Sequence, residues 1–206
     1  MKKFTIILVA LWCFVAMVKA QEFGFKKGDF LVEGTLSASV EEGGMEHYDK
    51  RSSFGFQPQA SYFLTDKLSV GLSLGIGNGN FEESVDASEG TVDYKYYSAG
   101  VLGRYYFLDL GPRFKTFTSL EGNFMDMSYD DDIFDIPNMK QYAVRGGIGA
   151  NFFITNNVAI NYTFTNIVGF SSTKSGENST MNSFSLSLND FQNFFNSGSF
   201  SLSFRF

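Results

Sequence analysis

Along most of this chain, apolar side chains return at every second position. Between Leu68 and Gly77, Leu68, Val70, Leu72, Leu74 and Ile76 alternate with Ser69, Gly71, Ser73, Gly75 and Gly77. Successive side chains of an extended chain point to opposite faces. The stretch therefore predicts a strand with one apolar face and one face of small or polar residues. The same period marks residues 30–40 and 54–64, and runs near 97–108, 114–125, 141–154 and 158–170. It ends in "SFSLSFRF", where Phe200, Leu202, Phe204 and Phe206 share a face. The pattern predicts an all-β chain of eight strands.

The connections alternate between short and long. Thr65-Asp66-Lys67, Asp109 to Arg113 and Thr155-Asn156-Asn157 read as tight turns, whereas 41–53, 80–95, 126–140 and 171–197 read as long polar loops. Short turns at one end and long loops at the other characterise an up-and-down barrel in an outer membrane. Residues 181–190 also alternate. They are expected as a hairpin inside the last outer loop, because another spanning strand would put the chain end on the wrong side.

Which face is apolar decides the solvent. A small soluble barrel fills its interior with large apolar residues and meets water with polar ones. On 68–77 the second face is only serine and glycine, a poor solvent coat but a good filling for a narrow lumen. The expectation is a closed antiparallel up-and-down transmembrane β-barrel. Its Leu, Val, Ile, Phe and Tyr would face lipid, and every backbone group in the hydrocarbon would be paired. The last strand would close on the first, which explains an alternating apolar pattern running to a terminal Phe206.

Residues 1–20 are expected to be a signal peptide. Lys2 and Lys3 precede an apolar run from Phe4 to Val18, and Val18-Lys19-Ala20 forms a cleavage site before Gln21. The run is short of the ~20 residues of a spanning helix. Residues 21–206 would then form the outer-membrane barrel domain in a Gram-negative envelope. Cleavage would remove the only cysteine, Cys13, and with it disulfide and thiol chemistry. It would also leave 13 basic against 22 acidic residues, a formal charge of −9 compared with −6 for the full chain. Such a chain offers no basic surface for nucleic acid.

"PQASYFLTDKLSVGLSLG" (58–75), "AGVLGRYYF" (99–107) and "SLSFRF" (201–206) resemble the small porin-like outer-membrane β-barrel family, which includes the transmembrane domain of outer membrane protein A. The resemblance spans most of 29–206. It implies a barrel, with structural anchors, adhesins and narrow channels among its members, and it carries no catalytic residues. The C-terminal strand resembles the signal read by barrel-assembly machinery, with Ser201 where a glycine is usual. Outer-membrane lipids and that machinery are the expected partners, together with an unidentified surface or host partner.

Extending the alternation sends Glu33, Arg104, Lys115, Glu121, Arg145 and Arg205 into the lumen, along with Gln57, Gln59, Asn151 and Asn161. An eight-stranded barrel is just wide enough for its own side chains. Charges enclosed there must pair, so Arg104 and Arg145 are expected to bridge to Glu33 and Glu121 as a polar plug. The alternative is a gate in a narrow passive pore for small solutes. Asp126-x-Ser128-x-Asp130 imitates the start of a calcium loop. Asp131 stands where its glycine should be and Pro137 where its glutamate should be, so a solvated acidic loop is expected. His47, the sole histidine, is expected as an exposed loop residue rather than a hydrolase base. Gly147 and Gly149 are expected to make room for lumen side chains. Tyr62, Tyr97, Tyr105, Phe107, Phe152 and Tyr162 are expected in aromatic girdles at the membrane interfaces. No catalytic group, cofactor or metal is expected.

Overall fold

The computed structural model describes residues 23–45, 48–85, 88–130, 136–176, 179–186 and 198–206. They form nine strands: β1 (Phe30–Met45), β2 (Tyr48–Phe63), β3 (Leu68–Val85), β4 (Ser88–Asp109), β5 (Phe114–Asp130), β6 (Met139–Phe153), β7 (Val158–Ser175), β8 (Ser179–Leu186) and β9 (Gly198–Arg205). Consecutive antiparallel pairing runs from β1 to β7. β9 then joins β7 to β1 and closes an eight-stranded barrel. The wall seals with Leu31 opposite Arg205 through Gly34 opposite Leu202. Below these, the Phe30 and Phe206 backbones exchange N–H···O bonds of 3.1 and 2.8 Å. The chain thus ends with its backbone in the wall and the Phe206 ring outside it.

Two of the three tight turns share one local device. Thr65 Oγ1 accepts from the N–H groups of Lys67 (3.2 Å) and Leu68 (3.0 Å). Thr155 Oγ1 accepts likewise from Asn157 (3.3 Å) and Val158 (3.1 Å). A threonine at the start of each turn takes up N–H groups that the ladder cannot reach. The third turn passes through Gly111 at φ +88°, a conformation that disfavours a side chain.

At the other end the strands run much further than the alternation suggested. β4 has 22 residues, where about 9–11 cross a membrane. The stretch 80–95, expected as a loop, is mostly strand. β3 and β4 stay in register from Leu68 opposite Tyr105 to Val85 opposite Ser88. Parts of 41–53, 126–140 and 171–197 are likewise strand. Polarity explains the difference on β3, β4 and β5, because it reverses partway along them, whereas the upper inward positions of β1 and β2 stay polar with Ser37, Arg51 and Ser53. On β4, Tyr105, Val101 and Tyr97 point outward in the lower half, and Thr91, Asp93 and Lys95 point outward above. Tyr94 and Val92 point inward there and are buried.

β8 occupies the outer continuation of β9. It pairs only with the upper half of β7, from Val168 opposite Leu186 to Ser175 opposite Ser179, while β9 holds the lower half. Residues 181–186, expected as a hairpin within an outer loop, instead extend the sheet along upper β7, with Phe184 opposite Phe170 and the Met181, Phe184 and Leu186 side chains exposed. Among the described residues, no pairing joins β8 to β1.

Candidate functional site

The lumen is crossed by two stacked layers near the short-turn end. In the upper one, Glu33 of β1 and Arg104 of β4 are almost fully enclosed, and their ion pair measures 2.5 Å. Arg104 Nη2 also donates to Gln59 Oε1 at 3.2 Å. Asn161 Nδ2 donates to the other oxygen of Glu33, and Asn151 Nδ2 donates to Asn161 Oδ1. Ser203 Oγ, from the closing strand, reaches Asn161 Oδ1 at 3.3 Å. Six strands thus contribute to one network around the charge pair. Removing one member of a buried pair leaves the other uncompensated, at about 3–5 kcal/mol.

Of the four predicted charges, Glu33 and Arg104 meet. Glu121 and Arg145 face each other in register on β5 and β6, yet no ion pair joins them among the described residues. Glu121 instead accepts from Ser73 Oγ at 3.4 Å. Lys115 turns down to Asp109 at 2.8 Å, and Arg205 lies 3.8 Å from Asp29.

The lower layer is aromatic, and the alternation did not foresee it. Phe63, Tyr106, Phe117 and Phe153 all point inward and are buried together with Leu31. Into this ring comes Phe25, from the segment before β1. It stacks on Phe63 at 4.3 Å and 15° and lies tilted against Tyr106 (4.7 Å) and Phe153 (5.2 Å). The Arg104 guanidinium sits 4.8 Å from the Phe117 centroid, so the charge layer rests on an aromatic face. The entering segment is held by its backbone. Lys27 N–H donates to Asp66 Oδ1 at 2.8 Å, Gly28 N–H donates to the Phe63 carbonyl at 2.9 Å, and Arg205 donates to the Gly24 carbonyl. Arg113 lies over Phe23 at 4.6 Å. Gly149 leaves space for the Phe117 ring, with which a Cβ there would clash.

A signal for this layer does exist in the sequence. Tyr62-Phe63, Tyr105-Tyr106 and Phe152-Phe153 are aromatic doublets at strand ends, and each sends one ring to each face. The outer rings Tyr62, Tyr105, Phe107 and Phe152, with Tyr97 at the opposite rim, lie on the outward face as girdle positions. Tyr162 is partly covered and packs on Phe200 at 4.6 Å.

Asp126, Ser128 and Asp130 are on β5 rather than in a loop, along its outward face, and Asp126 lies 3.8 Å from Lys140. A strand spaces such side chains about 6.6 Å apart, too far to converge on one ion. Asp131, Asp132, Asp135 and His47 lie outside the described residues, as does the expected signal segment. Among the described residues there is no cluster of His, Cys, Asp and Glu suited to a metal.

A closed antiparallel barrel with apolar side chains outside and charges within is the architecture of a transmembrane β-barrel. The sequence matches the outer membrane protein β-barrel domain over residues 6–192, and the chain belongs to that family of outer-membrane proteins. Among solved structures it resembles the outer membrane protein OprG of Pseudomonas aeruginosa at 16% identity and a TM-score of 0.51, over 89% of this chain and 98% of that one. Escherichia coli outer membrane protein W aligns at 15% identity and a TM-score of 0.43, covering 88% and 99%. Ail of Yersinia pestis aligns at 18% and 0.42, covering 88% and 100%. Among curated protein sequences, none matches the chain.

Proposed function

We propose that this protein is a non-conducting surface-contact barrel of the outer membrane, exported by a cleaved signal at residues 1–20 and without enzymatic activity. The observation that carries the reading is the pair of layers across the lumen. The Glu33–Arg104 network spans the bore, and the Phe25 ring closes the space below it. Water and small ions would have to displace both. Among partners, the outer-membrane lipids meet the apolar band, the assembly machinery reads the C-terminal strand, and an outside surface meets the projecting strands. Recording single-channel currents from the purified barrel in planar bilayers tests this. Silence at moderate voltage is expected, and steady unitary conductance would refute it.

The second reading is a gated passive pore, and one feature favours it. Phe25 belongs to a segment outside the barrel wall, so it can leave without breaking any strand pairing. Under this reading, Phe25→Ala opens current in a protein that still shows the heat-dependent gel mobility of a folded barrel, although the lost ring packing lowers its stability. Under the first, Phe25→Ala stays silent because the charge layer still blocks the bore.

A further inference from the structure

Above the charge layer the lumen is not filled. A cavity of about 180 Å3 lies among the outer halves of β1 to β5. One wall is aromatic and soft, with Tyr94, Tyr96 and Tyr129 beside Met125 and Met127, and the facing wall carries Arg51, Ser37 and Ser53. Arg51 and Ser37 are solvent-exposed, so water reaches the space.

The tyrosine rings are seated by glycine. Tyr94 lies over Gly79, where a Cβ would come within 2.6 Å of the ring, and Tyr96 lies over Gly77 in the same manner. Each ring has the β3 backbone against it and lines the cavity as well. The aromatic faces are therefore fixed before any guest arrives, which lowers the ordering cost of binding.

The lining selects its guest. A purely apolar molecule would displace water from the Arg51 guanidinium and the Ser37 hydroxyl and replace none of its hydrogen bonds, while Ser53 Oγ already pairs with Ser39 Oγ at 2.7 Å. A small anion would find Arg51 opposite Glu41 in register and would leave the ring faces unused. A sugar ring presents an apolar C–H face and a rim of hydroxyls, and the cavity offers both complements. The volume is below the ~300–1,000 Å3 of ordinary ligand pockets, which restricts it to one ring. We propose that this cavity binds a single carbohydrate ring, either as a free monosaccharide or as the exposed end of a glycan. The inference deepens the surface-contact reading above and rests on it.

The test is saturation-transfer NMR on the barrel in lipid nanodiscs. The probes are neutral hexoses, N-acetylhexosamines and uronic acids at millimolar concentration, each free and as the end of an oligosaccharide. At least one should bind, with affinity falling about tenfold in Tyr96→Ala and less in Tyr96→Phe, which keeps the ring. Arg51→Gln, at an exposed position, should also weaken binding. Heat-dependent gel mobility confirms that each variant remains a barrel. Equal binding of free and chain-end sugar identifies a glycan terminus, and binding of the free form alone identifies a monosaccharide. Either result sustains the proposal. No binding by any probe, or binding unchanged in all three variants, overturns it. If no sugar binds while cells displaying the protein still adhere to a surface, the cavity proposal falls and the surface-contact reading stands.

Discussion

The two halves of β4 obey opposite rules within one strand. From Tyr97 to Tyr105 the outward side chains are apolar, and the inward ones include Arg104 and Ser98. From Thr91 to Lys95 the outward ones are polar, and the inward ones are Val92, Tyr94 and, next above the crossover, Tyr96. β5 repeats this, with Leu120 outside and Glu121 inside below, then Asp126 and Ser128 outside and Met125 and Met127 inside above. The lower half is built for lipid and the upper half for water, on a backbone that does not change. Side-chain polarity therefore reports the solvent around a strand, while hydrogen bonding alone reports the strand.

The largest effect should come from the enclosed charge pair of the lower half. Arg104→Ala leaves Glu33 unpaired and should cost about 3–5 kcal/mol in urea unfolding from lipid vesicles. Replacing both, Glu33→Leu with Arg104→Met, should recover most of that loss, because no orphaned charge remains. If the single and double variants were equally unstable, the pair would not be acting as a pair. Next comes the lipid face. Val101→Arg should cost about 2–4 kcal/mol by the same assay, as a charge near the middle of a bilayer does. An unchanged midpoint would place Val101 outside the hydrocarbon.

The upper half should respond to volume and be nearly indifferent to outward charge. Gly79→Ala drives a Cβ into the Tyr94 ring and should cost about 1–3 kcal/mol. Lys95→Leu, on the same outward face as Val101 and three two-residue repeats higher, should change stability by no more than about 0.5 kcal/mol. Finding Lys95→Leu as strongly stabilising as Val101→Arg is destabilising would mean that the bilayer reaches further up the strand.

The reversal also explains what could be read from the sequence. Strands such as 68–77 were legible because serine and glycine against leucine and valine leave one clear apolar face. Their extensions were not, because the face that carries the apolar row lower down becomes polar there. At Asn78 and Asn80 the outward row turns hydrophilic while Phe81 takes up the inward one, and the stretch looks like a loop. The charge layer was half legible. Alternation put Glu33, Arg104, Glu121 and Arg145 on the inner face. It could not say that Arg104 reaches Glu33 across the bore while Arg145 and Glu121, adjacent on the wall, form no ion pair. The aromatic layer was hidden inside doublets, where an apolar residue on each face cancels the alternation. Phe25 lies before the first strand, and no periodicity could place it under the barrel.

The reversal can be tested on one strand with one reagent. The only cysteine, Cys13, lies within the segment expected to be cleaved, so single cysteines can be placed along β4 in an otherwise thiol-free protein. Cysteines replacing Thr91, Asp93, Lys95, Ala99, Val101 and Tyr105 in lipid vesicles would be exposed to a water-soluble maleimide. The predicted result is rapid labelling at 91, 93 and 95 and protection at 99, 101 and 105, with a lipid-borne quencher showing the opposite order. Uniform rapid labelling along the whole outward face would contradict the claim that this barrel passes from bilayer to water partway along its strands.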